Sequence, residues 1–237
     1  MARHGKRYIE AAKLVEGGGP YNPDDALELV CQTSNTKFDA SVELHLNLGL
    51  DTAHQDQQLR GTVALPHGTG RTTRVVVFAS GDKAIEARDA GADEVGAEDL
   101  AKKIQGGWLD FDAAVATPDM MRTVSPLGRV LGPRGLMPNA RAGTVSQDVG
   151  KVVEALKAGQ VEYRADSTGN VHFTIGRVSF SKEQLRDNLT TAIDAVVRGR
   201  PEGAKGTYIR SAHMTTTMGP GLPLDIQETT SLARQMR

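Results

Sequence analysis

The sequence predicts a two-domain α/β protein, in which a Rossmann-like parallel α/β domain is inserted into an outer α+β domain. Residues 38–48 alternate between apolar and polar side chains, which indicates a sheet with one face covered by helices. Residues 75–79 form a continuous apolar run, typical of a strand buried on both faces. The alternating pattern returns after Gly159, so both chain ends build the outer domain. The predicted outer domain comprises residues 1–67 and 160–237, and the predicted inserted domain comprises residues 68–159.

The outer domain begins with two predicted helices and an antiparallel sheet. The first helix covers residues 6–16 and ends at the glycines that follow. The second starts at Pro23, where Asn22 can cap the helix and acidic residues in the first turn favour its positive end. The strand at 38–48 comes next, and another strand is predicted near 62–65.

In the inserted domain, strands and helices alternate, which indicates a parallel sheet with helices on both faces. Strands are predicted at 75–79, 92–95 and 113–116, and helices at 83–90, 98–105 and 118–123. A last amphipathic helix closes this domain. Ser146 caps it, its apolar stripe starts at Val149, and Gly159 ends it.

The chain then returns to the outer domain. Strands are predicted at 161–163 and 171–175, on either side of a hairpin turn at 166–170. Ser181 and Gln184 form a capping box for a helix that ends at Gly199. The remaining elements are a strand from Tyr208, a short strand near 222–226 and a loosely held polar tail to Arg237.

The strand after Tyr208 has a polar face where an apolar stripe is usual. The polar residues on one side of it, at the two-residue period of a strand, are Ser211, His213, Thr215 and Thr217, and a corner of Met218 and Gly219 follows. Small hydroxyls on a sheet surface suit the sugars, phosphates and base edges of RNA. A solvated edge strand is the alternative, because threonine favours strands whatever its partner.

The formal net charge is −1, which argues against an RNA-binding protein of the usual basic kind. The cations are clustered, however, and a local cluster can bind phosphate while acidic helices cancel the sum. One cluster, just before the polar strand, comprises Arg198, Arg200, Lys205 and Arg210. RNA binding would therefore rest on shape and specific contacts. The alternative for each cluster is an ordinary solvated surface.

A loop rich in glycine and proline contains Arg129, Arg134 and Arg141. Its G-x-x-G pattern matches the clamp of one RNA-binding module, and long ordered loops are often functional. The alternative is a rigid connector.

Residues 68–71 look like a phosphate-binding loop. However, Thr73 stands where the dinucleotide fingerprint needs a third glycine, and a strand follows where a helix is required. A turn is the favoured interpretation. This loop and the parallel sheet suggest the alternative function, a nucleotide-binding α/β enzyme, although a fold alone does not imply that function.

The sequence contains no pattern typical of catalysis or metal binding. The histidines lack metal-ligand spacing, Cys31 is the single cysteine, and no nucleophile elbow is present. We therefore expect no enzyme activity, no cofactor and no metal. A lone cysteine fits a reducing cytosol, and neither a membrane helix nor a signal peptide is recognisable. We expect a cytoplasmic protein without a membrane partner.

Phe38, which follows Lys37, admits two interpretations. By parity it belongs to the apolar face of its strand, so core packing is the first interpretation. It is also the first residue of that strand and follows a cation. An aromatic in that place could instead stack on a base, for ~1–3 kcal/mol.

Several segments, in order and spacing along nearly the whole chain, resemble bacterial members of the ribosomal protein L1 family. They are residues 37–39 with 42–45, 60–63 with 65–68, 116–119, 128–129 through 138–139 with 142–145, and 215–220.

This resemblance implies an outer domain that binds the ribosomal RNA of the mobile stalk near the tRNA exit site of the large subunit. It also implies assistance in the release of deacylated tRNA and repression of the protein's own mRNA, whose leader mimics the ribosomal site. RNA contacts are implied at Lys37, Phe38, Ser211, Thr217, Met218 and Gly219, with Asp166, Thr168 and His172 added by their expected proximity. The core interpretation of Phe38 is thereby reversed. From charge and loop composition, the inserted arginines are candidates for loose RNA contact or for reaching the passing tRNA.

Overall fold

The computed structural model describes residues 4–15, 19–52 and 54–235. The chain divides into two compact units: an outer unit of residues 1–70 and 161–237, and an inserted unit of residues 71–160. No helix within the described ranges is both long and apolar enough to cross a bilayer.

The helices and strands are numbered in chain order. The helices are α1 (Lys6–Lys13), α2 (Pro23–Gln32), α3 (Asp82–Asp89), α4 (Glu98–Gln105), α5 (Met121–Val124), α6 (Gly128–Leu131), α7 (Val149–Lys157), α8 (Lys182–Arg198) and α9 (Ile226–Gln235). The strands are β1 (Ser41–Leu48), β2 (Arg60–Ala64), β3 (Val75–Phe78), β4 (Glu94–Gly96), β5 (Ala113–Ala116), β6 (Gln160–Arg164), β7 (Asn170–Arg177), β8 (Ile209–Thr216) and β9 (Leu222–Pro223).

The outer unit is built on an antiparallel sheet of order β7-β1-β8-β9. Every second residue of β1 is buried, and β7 and β8 follow a similar alternation, so the sheet has one apolar face. Helices α2 and α8 pack there: Leu27 of the first and Leu189 of the second share one core with the strands. The predicted α+β class with a one-sided sheet is confirmed.

The sequence signals at the helix ends act as predicted. The Asn22 side chain accepts a hydrogen bond from the Asp24 amide at 3.0 Å, and Pro23 occupies the first turn. Ser181 and Gln184 form the reciprocal capping box of α8, which ends at Gly199. These caps satisfy amides that the helix itself leaves without partners.

The inserted unit holds a parallel sheet of order β4-β3-β5. All four residues of β3 are buried, and they alternate between two apolar clusters. Phe78 faces a cluster that includes Ile104 of α4, and Val77 faces a cluster that includes Val153 of α7. Helices therefore cover both faces, which confirms the predicted Rossmann-like arrangement.

The predicted hairpin at residues 166–170 is wrong. Strand β6 pairs with β2 in a separate two-stranded sheet, whereas β7 pairs with β1. The turn itself is present, since the Asp166 amide donates to the Asn170 carbonyl at 2.8 Å. The alternation of apolar and polar residues identifies a strand but not the strand it pairs with. The sequence therefore could not show that this turn joins two different sheets.

The predicted helices also differ from the structure in several places. Asp148, and not Ser146, stands at the start of α7, while the Ser146 hydroxyl accepts from the Asp148 amide in the preceding turn.

The predicted loose tail is helix α9, which packs against α8 and begins where the Asp225 carboxylate accepts from the Gln227 and Glu228 amides. Few apolar residues mark this helix, so its period was not visible. Helix α1 ends at Lys13, and its predicted end at residue 16 lies outside the described residues, as do residues 236–237.

Candidate nucleic-acid interface

The sheet of the outer unit presents a polar face on the side opposite its core. Buried Ala212, Met214 and Thr216 of β8 point inward, so the residues between them point outward, as the sequence predicts. We call the outward side the polar face. Its side chains, all half-exposed or exposed, are Asn170, His172 and Thr174 of β7, Ser41, Glu43, His45 and Asn47 of β1, and Ser211, His213 and Thr215 of β8.

Six of these residues were not predicted as site residues: Ser41, Glu43, His45, Asn47, Asn170 and Thr174. The parity of the first predicted strand had already placed the four in β1 on its polar side. The missing information was which strands flank β1. Only the pairing of β1 with β7 and β8 brings these groups into one surface.

Three histidines form a row across the polar face. His45 lies opposite His172 on one side and His213 on the other. The Nδ1 atoms of His45 and His172 are 2.7 Å apart. Such a contact needs one donor and one acceptor, so both rings cannot be protonated while it persists. Burial and the neighbouring His172 lower the pKa of His45, although Glu43, 3.6 Å away, opposes them.

The corner after β8 is held by hydrogen bonds within the protein. The Thr217 amide donates to the Ser41 carbonyl at 3.1 Å, and the Gly219 amide donates to the Thr216 carbonyl at 2.8 Å. A Cβ atom on Gly219 would lie 2.3 Å from Thr216 Oγ1. These two amides therefore donate within the protein and are not open to RNA. Glycine is needed because the corner folds tightly on itself.

The threonine hydroxyls of the corner keep part of their hydrogen-bonding capacity. Thr215 Oγ1 lies 3.1–3.2 Å from the carbonyls of Thr216, Gly219 and Pro220, to which it can donate its single hydrogen. Thr217 Oγ1 accepts from the Ser41 amide at 3.2 Å. The Thr215 hydroxyl can therefore still accept a hydrogen bond from a ligand, and the Thr217 hydroxyl can still donate one.

Two large apolar side chains are exposed at the same end of the sheet. Phe38 is 58% exposed and Met218 is 77% exposed. Strand β1 begins only at Ser41, so Phe38 lies before it and does not enter the core, which overturns the parity argument. The amide of Thr217, just after β8, donates to the carbonyl of Ser41, the first residue of β1. Met218 therefore lies just beyond the end of β8, close in the chain to this pair, and Phe38 lies just before the start of the neighbouring β1. Lys37 beside them is exposed and has no ion pair within the described part of the chain.

Asp166 and Thr168 lie at the opposite end of the sheet, in the turn before β7. The Asp166 carboxylate accepts from the Asn170 and Thr168 amides, both at 2.8 Å, and from the Thr168 hydroxyl at 2.7 Å. These hydrogen bonds hold the pKa of Asp166 far below its ordinary value, and the one from the Asn170 amide has the largest effect. Asp166 therefore shapes the turn, and His172 extends from the strand that follows it.

The predicted arginine loop belongs to the inserted unit. Arg129 lies in helix α6 and Arg134 in the turn after it; both are exposed and have no ion pair among the described residues. Arg141 lies in a 3-10 turn, Ala140–Ala142, and its side chain is outside the part that the structure describes. The loop is thus partly helical, with the Asn139 amide fixed by Thr144 Oγ1 at 2.8 Å.

The features that suggested a nucleotide-binding enzyme belong to different units. The 68–70 loop is part of the outer unit, whereas the parallel sheet is in the inserted one. The Gly68 carbonyl accepts from Asn188 at 2.8 Å, and a Cβ atom on Gly70 would lie 2.9 Å from the Phe180 ring. The loop is packed as a turn. Among the described residues, no group of three His, Cys, Asp or Glu could hold a metal ion.

Comparison with known proteins shows similarity to a family of ribosomal proteins. The model of the Ribosomal protein L1p/L10e family matches residues 30–220. The Large ribosomal subunit protein uL1 of Thermomicrobium roseum is 52% identical over 238 residues, which cover 99% of each chain.

Proposed function

The chain belongs to the Ribosomal protein L1p/L10e family, and we propose that it is a structural component of the large ribosomal subunit that binds ribosomal RNA. The observation that supports RNA binding best is the polar face, which is uncharged over most of its area and ends at exposed Phe38 and Met218. A surface of this kind offers hydrogen bonds and stacking area in place of bulk positive charge, as a chain of net charge −1 requires.

The chemistry of the face fits a folded RNA. Hydroxyl, amide and imidazole groups can bond to 2′-hydroxyls, phosphates and base edges. The Ser211 hydroxyl has no hydrogen-bond partner among the described residues, so it is open to a ligand. Phe38 offers a base a stacking surface for about 1–3 kcal/mol, and Lys37 adds one positive charge.

We extend the proposal to the RNA target and to regulation. The target is the ribosomal RNA of the mobile stalk near the tRNA exit site, in the cytoplasmic ribosome. The same face binds the leader of the protein's own mRNA and represses its translation. The exposed arginines of the inserted unit contact the deacylated tRNA and assist its release. In this proposal the functional domains are residues 1–67 with 160–237, and residues 68–159.

Ribosomes stripped of this protein provide the direct test. We expect the purified chain to rebind stoichiometrically and to protect stalk RNA in a footprint, and a leader fragment of its mRNA to compete. Protection elsewhere, or no rebinding, would overturn the assignment. Calorimetry with nucleotides in place of RNA tests the enzyme alternative, for which we expect no heat of binding.

The role of the inserted unit needs a separate measurement. The double variant Arg129→Gln/Arg134→Gln should bind an isolated stalk RNA as the wild type does, but ribosomes carrying it should release deacylated tRNA more slowly. Equal release rates would remove the tRNA role and leave RNA binding by the outer unit intact.

A further inference from the structure

A cavity of about 500 Å³ opens at the end of the sheet opposite Met218, where β1 ends and β8 begins. Its lining includes Thr52, Ser167, Thr168, Lys205 and Arg210. Thr168 was predicted as a site residue through the resemblance. The two cations were noted only as part of a cluster that could equally have been solvated surface.

The structure divides that cluster of four cations into two kinds. Arg198 pairs with Asp194 at 2.6 Å, and Arg200 donates to the Ala204 carbonyl at 2.8 Å while it lies over the Tyr208 ring. Both are therefore engaged within the protein. Lys205 and Arg210 are exposed, have no ion pair among the described residues, and line the same cavity.

Glycine positions shape the floor of the cavity. A Cβ atom on Gly49 would lie 2.2 Å from the Thr207 carbonyl oxygen and 3.3 Å from Arg210 Nε. A Cβ atom on Gly203 would lie 2.8 Å from Asp56 Oδ2. The chain segments around the cavity therefore approach more closely than any side chain at these positions would allow, which brings the Arg210 guanidinium against the end of β1.

Most of the remaining polar groups are bonded within the cavity wall. The Thr52 hydroxyl donates to the Ser167 carbonyl at 2.6 Å, and the Thr168 hydroxyl donates to Asp166 at 2.7 Å. Asp51 is the one carboxylate among the described lining residues, and its Oδ2 atom lies 3.6 Å from His54 Nε2. The two cations thus outnumber the lining carboxylate, and the cavity suits an anion.

The cavity continues the polar face. Strand β8 runs from Arg210 at the cavity through Ser211, His213 and Thr215 to the corner at Met218. At roughly 3.3 Å per residue, these ends are about 26 Å apart. An RNA that covers the face from the corner would reach the cavity with its backbone.

We propose that this cavity is a second anchoring site, in which Arg210 and Lys205 bind a backbone phosphate of the RNA that lies on the polar face. The proposal rests on the proposed function. Arginine suits this task because its planar guanidinium can donate two parallel hydrogen bonds to one phosphate, and lysine adds a point charge.

The test measures the affinity of the full-length chain for a stalk RNA fragment as a function of salt. Arg210→Gln and Lys205→Gln should each weaken binding roughly three- to tenfold, because each removes one exposed charge contact. Each should also reduce the slope of log K against log salt by up to about 0.9, as expected for one lost phosphate contact. Arg210→Lys, which keeps the charge, should lose less affinity than Arg210→Gln and keep the wild-type slope.

Lys182→Gln is the matched control. Lys182 is the first residue of α8, a helix that packs on the opposite side of the sheet, and it pairs with Glu28. This variant should keep the wild-type affinity and slope. If Arg210→Gln and Lys205→Gln also match the wild type, the anchoring site is wrong while RNA binding stands. If the wild type itself does not bind, the proposed function fails.

Binding of inorganic phosphate tests whether the cavity takes the backbone of an RNA or a small free anion. We expect phosphate alone, followed by the amide resonances of Gly49 and Arg210, to bind weakly, and RNA to bind far more tightly because the rest of the face contributes. Tight binding of phosphate alone, with RNA affinity unchanged in both variants, would assign the cavity to a free anion and overturn the proposal.

Discussion

At the scale of single residues, Gly219 fixes the shape of the corner. Thr216 Oγ1 would lie 2.3 Å from a Cβ atom at this position. We expect Gly219→Ala to lower the free energy of unfolding by roughly 1–3 kcal/mol, since an extra methyl group in a tight contact forces the backbone to shift. Chemical denaturation measures this change, and the affinity for stalk RNA should fall as well because the corner moves.

Gly221→Ala is the control for that substitution. It lies two residues further on, and a Cβ atom there meets nothing within 4 Å. Its stability should stay within about 0.5 kcal/mol of the wild type, as for other surface substitutions. Equal stability of both variants would show that the corner is not as tight as the structure places it.

A substitution at Met218 distinguishes the effect of the corner on stability from its effect on RNA binding. Its φ is 67°, a left-handed conformation that costs a residue with a side chain but suits glycine, and its side chain is 77% exposed. We expect Met218→Gly to leave stability unchanged or raise it by up to about 1 kcal/mol, and yet to weaken RNA binding. Wild-type affinity together with wild-type stability would remove Met218 from the interface.

Thr217→Ala is a less selective test than Met218→Gly. The Thr217 hydroxyl accepts from the Ser41 amide, so its removal costs about 0.5–1.5 kcal/mol of stability in addition to any RNA contact.

At the scale of secondary-structure elements, the pairing of β7, β1 and β8 creates properties that no single strand has. His45 faces His172 from β7, His213 from β8 and Glu43 from its own strand. Its pKa in the folded protein is below the ordinary value of about 6.5, chiefly through burial. His45 therefore binds a proton more readily in the unfolded chain than in the folded protein. The contribution of neutral His45 to the free energy of unfolding is complete above about pH 6.5 and is lost as the pH falls below that value.

The variant His45→Gln should flatten this pH dependence. We expect the melting temperature of the wild type to fall more between pH 7.5 and pH 5 than that of the variant. His54→Gln removes a histidine outside the sheet and serves as the control for the loss of one histidine. Parallel profiles for wild type and His45→Gln would contradict the assigned pKa direction.

Elements with strong local signals could be predicted from the sequence, but their partners could not. Asn22 and the pair Ser181 and Gln184 mark helix starts through bonds within a few residues, and the structure has those bonds. The polar face depends on which strands flank β1, a choice made by packing across more than a hundred residues. Phe38 was misplaced by parity for a related reason: the strand starts three residues later, and periodicity says little about where a strand begins.

The candidate site shows the same division. Ser211, His213 and Thr215 follow from a two-residue period, so the sequence places them on one face. The cavity at Arg210 and Lys205 requires the end of β1, the turn before β7 and the approach to β8 to meet. These segments are far apart in the chain, and no motif joins them.

At the scale of the whole molecule, the net charge of −1 sets how the chain can hold RNA. A chain without excess positive charge gains little from releasing counterions, so its affinity must come from hydrogen bonds, stacking and shape. The outer unit agrees with this in part, because four of its described cations pair with carboxylates, among them Arg60 with Glu162 and Arg186 with Asp24. Lys37, Lys205 and Arg210 are the cations that we place against phosphates.

The salt dependence of RNA binding measures this balance directly. With about three phosphates neutralised, the slope of log K against log salt should lie near −2 to −3, since each contact contributes roughly −0.7 to −0.9. The measurement is a titration of the full-length chain with stalk RNA at several salt concentrations. A slope of about −6 or steeper would mean that many more cations face RNA than the polar face and its cavity provide. Such a result would make bulk charge, and not the shape of the sheet, the source of affinity.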